Sequence, residues 1–148
     1  MVEAERQNGV LPGDRAVELT VAAVPESLGV VRTLVAAVAA YEDLDLDAVA
    51  DIRLAVDEAC TRLIRIALPG SNLRVVIDPT DETVGIRAST CCVIDDSGPN
   101  SVVEPGSFSW HVLSSLIDEV STFAEGRPVN GTQVLGISLT ARRVSLLR

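Results

Sequence analysis

Apolar residues recur along this chain with two different periods, and the switches between them divide it into elements. In "RAVELTVAAV" (15–24), Val17, Leu19 and Val21 alternate with Glu18 and Thr20, the period of a strand with one buried face. Pro25 then opens a helix through about Tyr41, since proline suits the first helical turn. Leu28, Val31, Leu34, Val35 and Val38 share one face of it. Asp43, Asp45 and Asp47 offer N-caps and first-turn charge for a second helix ending near Leu68. Its apolar positions Ile52, Val56, Ala59, Leu63 and Ile66 are spaced 4, 3, 4 and 3 residues apart, the helical repeat.

Pro69-Gly70 breaks that helix. "NLRVVID" (72–78) reads as a strand, "PTDE" as a turn, and "TVGIRAS" (83–89) as the returning strand of a hairpin. Residues 90–106 read as a loop. "FSWHVLSSLIDEV" (108–120) predicts a third helix that buries Trp110, Leu113, Leu116, Ile117 and Val120. "AEGRPVNG" (124–131) is a turn region, and "TQVLGISLTARR" (132–143) supplies a final strand or two. The order β-α-α-β-β-α-β predicts an α/β (α+β) two-layer sandwich. Its sheet is expected to be mixed, largely antiparallel, and covered on one face by about three helices. The regular alternation of a doubly wound fold is missing. A single domain is expected over 15–143, between a flexible N-terminal arm (1–14) and a C-terminal tail (144–148).

Composition narrows the function. With 148 residues, 47% of them apolar, the chain can bury a core. No apolar run approaches the roughly 18 residues of a membrane span. The N-terminus lacks a basic start and an apolar h-region, so a cytoplasmic protein with reduced thiols is expected, away from membranes. A net charge of −9 repels phosphate backbones. It disfavours direct nucleic-acid binding and suits a basic protein partner. All twelve basic residues are arginine, which excludes a P-loop lysine and a lysine nucleophile.

Few groupings carry chemistry on their own. Cys60 and the vicinal pair Cys91–Cys92 make neither a disulfide framework nor a zinc spacing. They read as small buried hydrophobes, with a redox role for the pair as the alternative. His111, the one histidine, has no G-x-S-x-G partner and reads as a packing or surface residue. No metal-ligand set is expected. "DDSGPN" (95–100) reads as a turn, because one glycine is too few for a phosphate cradle. The stretch "LAVDEACTRLI" (54–64) is different. It gathers Asp57, Glu58, Thr61 and Arg62 on one side of a helix whose other side is apolar. These four are either a solvated stripe, with a Glu58–Arg62 ion pair in the favourable i,i+4 order, or the remnant of an active site.

"LTVAAVPESLGVVRTLVAAVAAY" and "AVADIRLAVDEACTRLIRIAL" resemble the first half of the RsbW and SpoIIAB anti-sigma factors. These are serine kinases of the histidine-kinase-like (Bergerat-fold) ATPase superfamily. Their "[SD]-E-A-x-T-N-A" box is matched by "DEACTR" (57–62), and the resemblance runs over about residues 15–143. It implies a dimeric protein that holds a stress- or sporulation-type sigma factor away from RNA polymerase. An anti-anti-sigma protein competes for it; active kinases use ATP with Mg²⁺ to phosphorylate a serine of that antagonist.

Carried onto this chain, the resemblance makes Glu58 the family base and places Thr61 and Arg62 in the nucleotide box. Arg62 stands where the family has the Mg²⁺-ligating asparagine, and a guanidinium cannot ligate a cation. In the adenine and phosphate box, aligned on "TCCVI" (90–94), Thr90 replaces an aspartate and Cys92 a glycine. In "GSFSW" (106–110) only Gly106 survives of the second glycine box, followed by Ser107, Phe108 and Ser109. Loss of glycine removes close backbone approach to a phosphate. The expectation is therefore a sigma-factor-binding protein whose ATP affinity is weak or absent. Glu26 and Arg32 of the first helix are the candidate partner contacts. The alternative is a working ATP-dependent serine kinase that uses Glu58.

Overall fold

The fold was obtained as a computed structural model, which describes residues 12–96 and 98–143. The expected arm (1–14) lies outside these residues except for its last three, and the expected tail (144–148) lies wholly outside them. The elements run β1 (Val17–Ala22), a 3₁₀ turn (Pro25–Ser27), α1 (Leu28–Tyr41), α2 (Leu46–Ile66), β2 (Asn72–Pro79) and β3 (Thr83–Val93). A second 3₁₀ turn (Gly98–Ser101), α3 (Phe108–Leu116), β4 (Glu119–Val129) and β5 (Thr132–Arg142) complete them. One five-stranded sheet has the order β1-β2-β3-β5-β4. Each neighbouring pair is antiparallel. The sheet expected to be mixed and largely antiparallel is antiparallel at every neighbouring pair.

The helices cover one face. Leu73, Val75 and Ile77 of β2, Val84, Ile86 and Ala88 of β3, and Leu135, Ile137 and Leu139 of β5 point into them, each no more than 2% exposed. The i, i+2 spacing of every set is what a strand needs to bury one side. α2 lies against this layer through Ile52, Ala55, Val56, Ala59, Cys60 and Leu63. Its start is set by Asp45, whose carboxylate accepts from the Ala48 N–H at 2.8 Å, satisfying a donor the helix cannot pair itself. Arg65 in its last turn complements the helix dipole.

Two elements depart from the sequence reading. β3 continues through Thr90–Val93, residues read as loop, because Thr90 and Cys92 keep the inward alternation of Ala88 and pair with Leu135 and Gln133 of β5. The third helix stops at Leu116, and Glu119–Val129 form an edge strand instead of a helix end and a turn. The misleading residue is Val120, which satisfies a helical repeat after Leu116 as well as a strand alternation with Thr122 and Ala124. Of the expected turn only Asn130-Gly131 remains. Both residues have positive φ, at 53° and 77°, and they join the Val129–Thr132 pair as a tight hairpin loop.

On the uncovered face, Phe123 of β4 lies across Gly136 of β5, and the Arg87 guanidinium sits 3.9 Å from the centre of its ring. A Cβ on Gly136 would fall on the Phe123 ring and 2.5 Å from the Ala88 carbonyl oxygen. Glycine is therefore required there by space, since the backbone conformation is ordinary.

The sheet edge, the α1 C-terminus and the residue after β5 meet at Glu42, whose side chain is 7% exposed. Arg15 donates to both its oxygens at 3.0 and 3.2 Å. Arg143 donates to Oε1 at 2.8 Å and to the Glu42 carbonyl at 2.7 Å. The Arg15 hydrogen bonds, helped by Arg143 against the opposing effect of burial, hold the Glu42 carboxyl below its ordinary value of 4.5. The unfolded chain therefore takes up this proton first. The stabilisation is complete above the ordinary value and is lost as pH falls through the lower folded one.

Two substitutions check these contacts by thermal and urea unfolding. Glu42→Gln is expected to lower stability at pH 7 by roughly 1–3 kcal/mol, with the difference from the parent shrinking as pH falls below the ordinary carboxylate value of 4.5 and the parent's own carboxylate protonates. Gly136→Ala is expected to cost about 1–3 kcal/mol through overpacking and to displace Phe123, which is visible as a loss of ring-current shifts.

Candidate functional site

The polar side of α2 becomes a set of ties to three other elements. Asp57 accepts from Arg32 Nε of α1 at 2.7 Å. Glu58 accepts from the Ser109 hydroxyl in the first turn of α3 at 2.8 Å. Arg62 donates through Nε and Nη2 to the Val102 carbonyl at 3.2 and 3.1 Å. The expected Glu58–Arg62 ion pair does not form. A guanidinium fork fits one carbonyl with two N–H groups, and the Ser109 hydroxyl already occupies Glu58.

The segment between β3 and α3 follows from these ties. Val102 and Val103 are both 0% exposed, so a stretch rich in proline, glycine and acids is anchored by two apolar side chains. Gly106 has φ +88°, a left-handed turn that favours glycine. Ser107 accepts from the Trp110 N–H at 3.2 Å and thereby caps α3. Phe108 is 82% exposed.

Of the residues predicted for a nucleotide site, the structure joins Glu58 to Ser109, with Arg62 and Ser107 on the flanking positions. Thr61 is half-buried on the same side of α2. Thr90 and Cys92 are buried inside β3, at 3% and 1% exposure. The Thr90 hydroxyl donates to the Asn72 carbonyl at 2.8 Å. The strand end carrying them is covered by the chain leaving α2, since the Leu68 N–H donates to the Cys91 carbonyl at 2.9 Å and Ala67 bridges to Cys92. Among the described residues no group of three or more His, Cys, Asp or Glu side chains could hold a metal.

The candidate partner residues are exposed, with different surroundings. Glu26 sits on the 3₁₀ turn before α1 rather than on the helix. Arg32 is tied to Asp57, whose hydrogen bond raises its pKa. Val102 and Val103 were not predicted. Their signal was an adjacent apolar pair inside the polar run "DDSGPNSVVEPG".

The cysteines are poorly placed for chemistry. Burial pushes the Cys60 thiol up to about 12, with Asp57 adding to the effect. Burial likewise pushes Cys92 up to about 11, with Cys91 contributing. At neutral pH these two are thiols rather than reactive thiolates. Cys91 and Cys92 occupy adjacent strand positions, so their side chains leave opposite faces of the sheet.

The arrangement links α2 to α1, α3 and the segment before α3. Comparison with known proteins gives the context. Residues 21–134 match the family described as "Histidine kinase-like ATPase domain". The chain is 56% identical over 144 residues to the Anti-sigma-F factor RsbW of Mycobacterium tuberculosis strain CDC 1551 / Oshkosh, covering 97% of this chain and 80% of that protein. The same figures hold for the protein of that name from strain ATCC 25618 / H37Rv. The chain belongs to the histidine kinase-like ATPase family, within its RsbW-type anti-sigma-factor branch.

Proposed function

We propose that this protein is a cytoplasmic anti-sigma factor that binds and sequesters a stress-type, sigma-F-like sigma factor. In this reading it works as a homodimer and is countered by anti-anti-sigma proteins, and its nucleotide site is degenerate. The observation that carries the sigma-factor reading is the 56% identity, over 97% of the chain, to relatives named for it. No described helix is long and apolar enough to cross a membrane.

The surface of α1 supports a protein partner. Arg32 is the only charged residue of this 14-residue helix. Its outward side carries the exposed Gly29, Val30, Ala36, Ala37 and Ala40, with Val30 50% exposed. A helix apolar on both sides is normally covered on both sides. Glu26 and Arg32 flank this patch and are the polar contacts we assign to the partner, with Arg32 steered by Asp57. The chain's net charge of −9 favours encounter with a basic surface.

The site geometry supports sequestration over phosphoryl transfer. A Mg²⁺–ATP group does not fit the side chains present. Arg62 would bring a fixed positive charge to the metal position, Ser109 occupies Glu58, and Val102–Val103 fill the space beside α2. Thr90 and Cys92 are buried in β3 and offer neither a carboxylate nor a glycine there. We therefore assign no catalytic step to Glu58.

Two experiments test the reading. Co-expression with a stress-type sigma factor from the same host is expected to give a stable co-purifying complex, and failure of every such sigma factor to co-purify overturns the main claim. Calorimetric titration with Mg²⁺–ATP is expected to give weak or undetectable binding, and Arg62→Asn alone is expected not to restore it. Micromolar affinity with γ-phosphate transfer to an anti-anti-sigma protein, lost in Glu58→Ala, would establish the kinase instead.

A further inference from the structure

We propose that Arg62 is an internal brace that keeps the strap Gly98–Ser107 seated against α2 without any ligand. The strap is weakly held by its own backbone. Its hydrogen bonds from Gly98 to Asp95, Val102 to Pro99 and Ser107 to Glu104 each reach back only three residues. Gly98 and Gly106 both have positive φ, so the chain turns sharply at both ends. Long-range contacts must therefore decide its position.

Beside the core packing of Val102 and Val103, three long-range hydrogen bonds act on the strap and the residue after it among the described residues, and two come from consecutive turns of α2. Arg62 grips the middle of the strap through two N–H donors on the Val102 carbonyl. Glu58, one turn earlier, takes the Ser109 hydroxyl just beyond the strap. The third, Thr122 to Asn100 at 3.3 Å, is exposed and long. Hydrogen bonds with a charged partner are the stronger class, and the Arg62 fork is half-buried, where competing water is reduced.

The Arg62 grip also fixes the Val102–Val103 backbone so that both valines remain in the core. Release would expose both and leave α3 held at its start by Glu58 alone. The braced strap presents Glu104 and Pro105, next to the 82%-exposed Phe108 at the start of α3, in one fixed arrangement available to a partner at any nucleotide concentration. This inference rests on the reading of the nucleotide site as degenerate, and it is independent of which partner binds.

Hydrogen–deuterium exchange on the full chain tests it, with Arg62→Ala, Arg62→Lys and the parent, each with and without Mg²⁺–ATP. Arg62→Ala is expected to speed exchange over 98–107 by at least tenfold while β2 and β5 stay protected. Arg62→Lys, which keeps a donor but loses the fork, is expected to fall between Arg62→Ala and the parent. Mg²⁺–ATP is expected to leave the parent's strap unchanged. An unaltered strap in Arg62→Ala, or equal loosening of the whole molecule, overturns the brace alone. Nucleotide-induced protection of the parent's strap overturns both the brace and the degenerate site. If Arg62→Ala does not fold, Arg62→Lys decides: severalfold faster strap exchange over an unaltered sheet supports the brace, and no change rejects it.

Discussion

The burial of one side of α2 is the constraint on which the other contacts depend. Ile52, Val56, Ala59 and Leu63 are 4% exposed or less, and they press the helix against the inward side chains of β2, β3 and β5. Because that side is fixed, the opposite side has a fixed direction. Asp57, Glu58 and Arg62 are then aimed at α1, α3 and the strap. Each polar tie is modest in free energy. Its geometric effect is larger, since all three start from one rigid rod. The helix orients its neighbours as well as supporting them.

This arrangement gives physical meaning to the exchange of an amide for a guanidinium at position 62. An asparagine there could offer a carbonyl oxygen to a cation; an arginine offers only donors and a permanent charge. The Arg62 charge is met by a backbone carbonyl, that of Val102. Closing the strap also gives the two valines a place in the core.

Glu42 does at the other end of the molecule what α2 does in the middle. It links Arg15 just before β1 to Arg143 just after β5, so the two ends of the domain are held at the α1–α2 turn. The arginine-only usage of the chain suits such junctions, because one guanidinium can serve a carboxylate and a carbonyl together. Arg143 does this with Glu42 and Thr80.

The sequence by itself determined the elements whose apolar period is unambiguous: β1, both long helices, and the β2–β3 hairpin. It also determined the family, through "DEACTR" and its flanking pattern. It did not determine the fate of Thr90–Val93 or of Glu119–Val129. Short polar residues accept strand or loop equally, and Val120 fits two periods at once. Their conformation was decided by β5, which offers an edge to each. The partners of Glu58 and Arg62 were likewise beyond local reasoning. An i,i+4 pair is the nearest option along a helix, yet Ser109 and Val102, 51 and 40 residues away in the chain, displaced it. Only the tertiary structure brings those acceptors and donors within reach, because it alone seats Val102 and Val103 in the core beside α2.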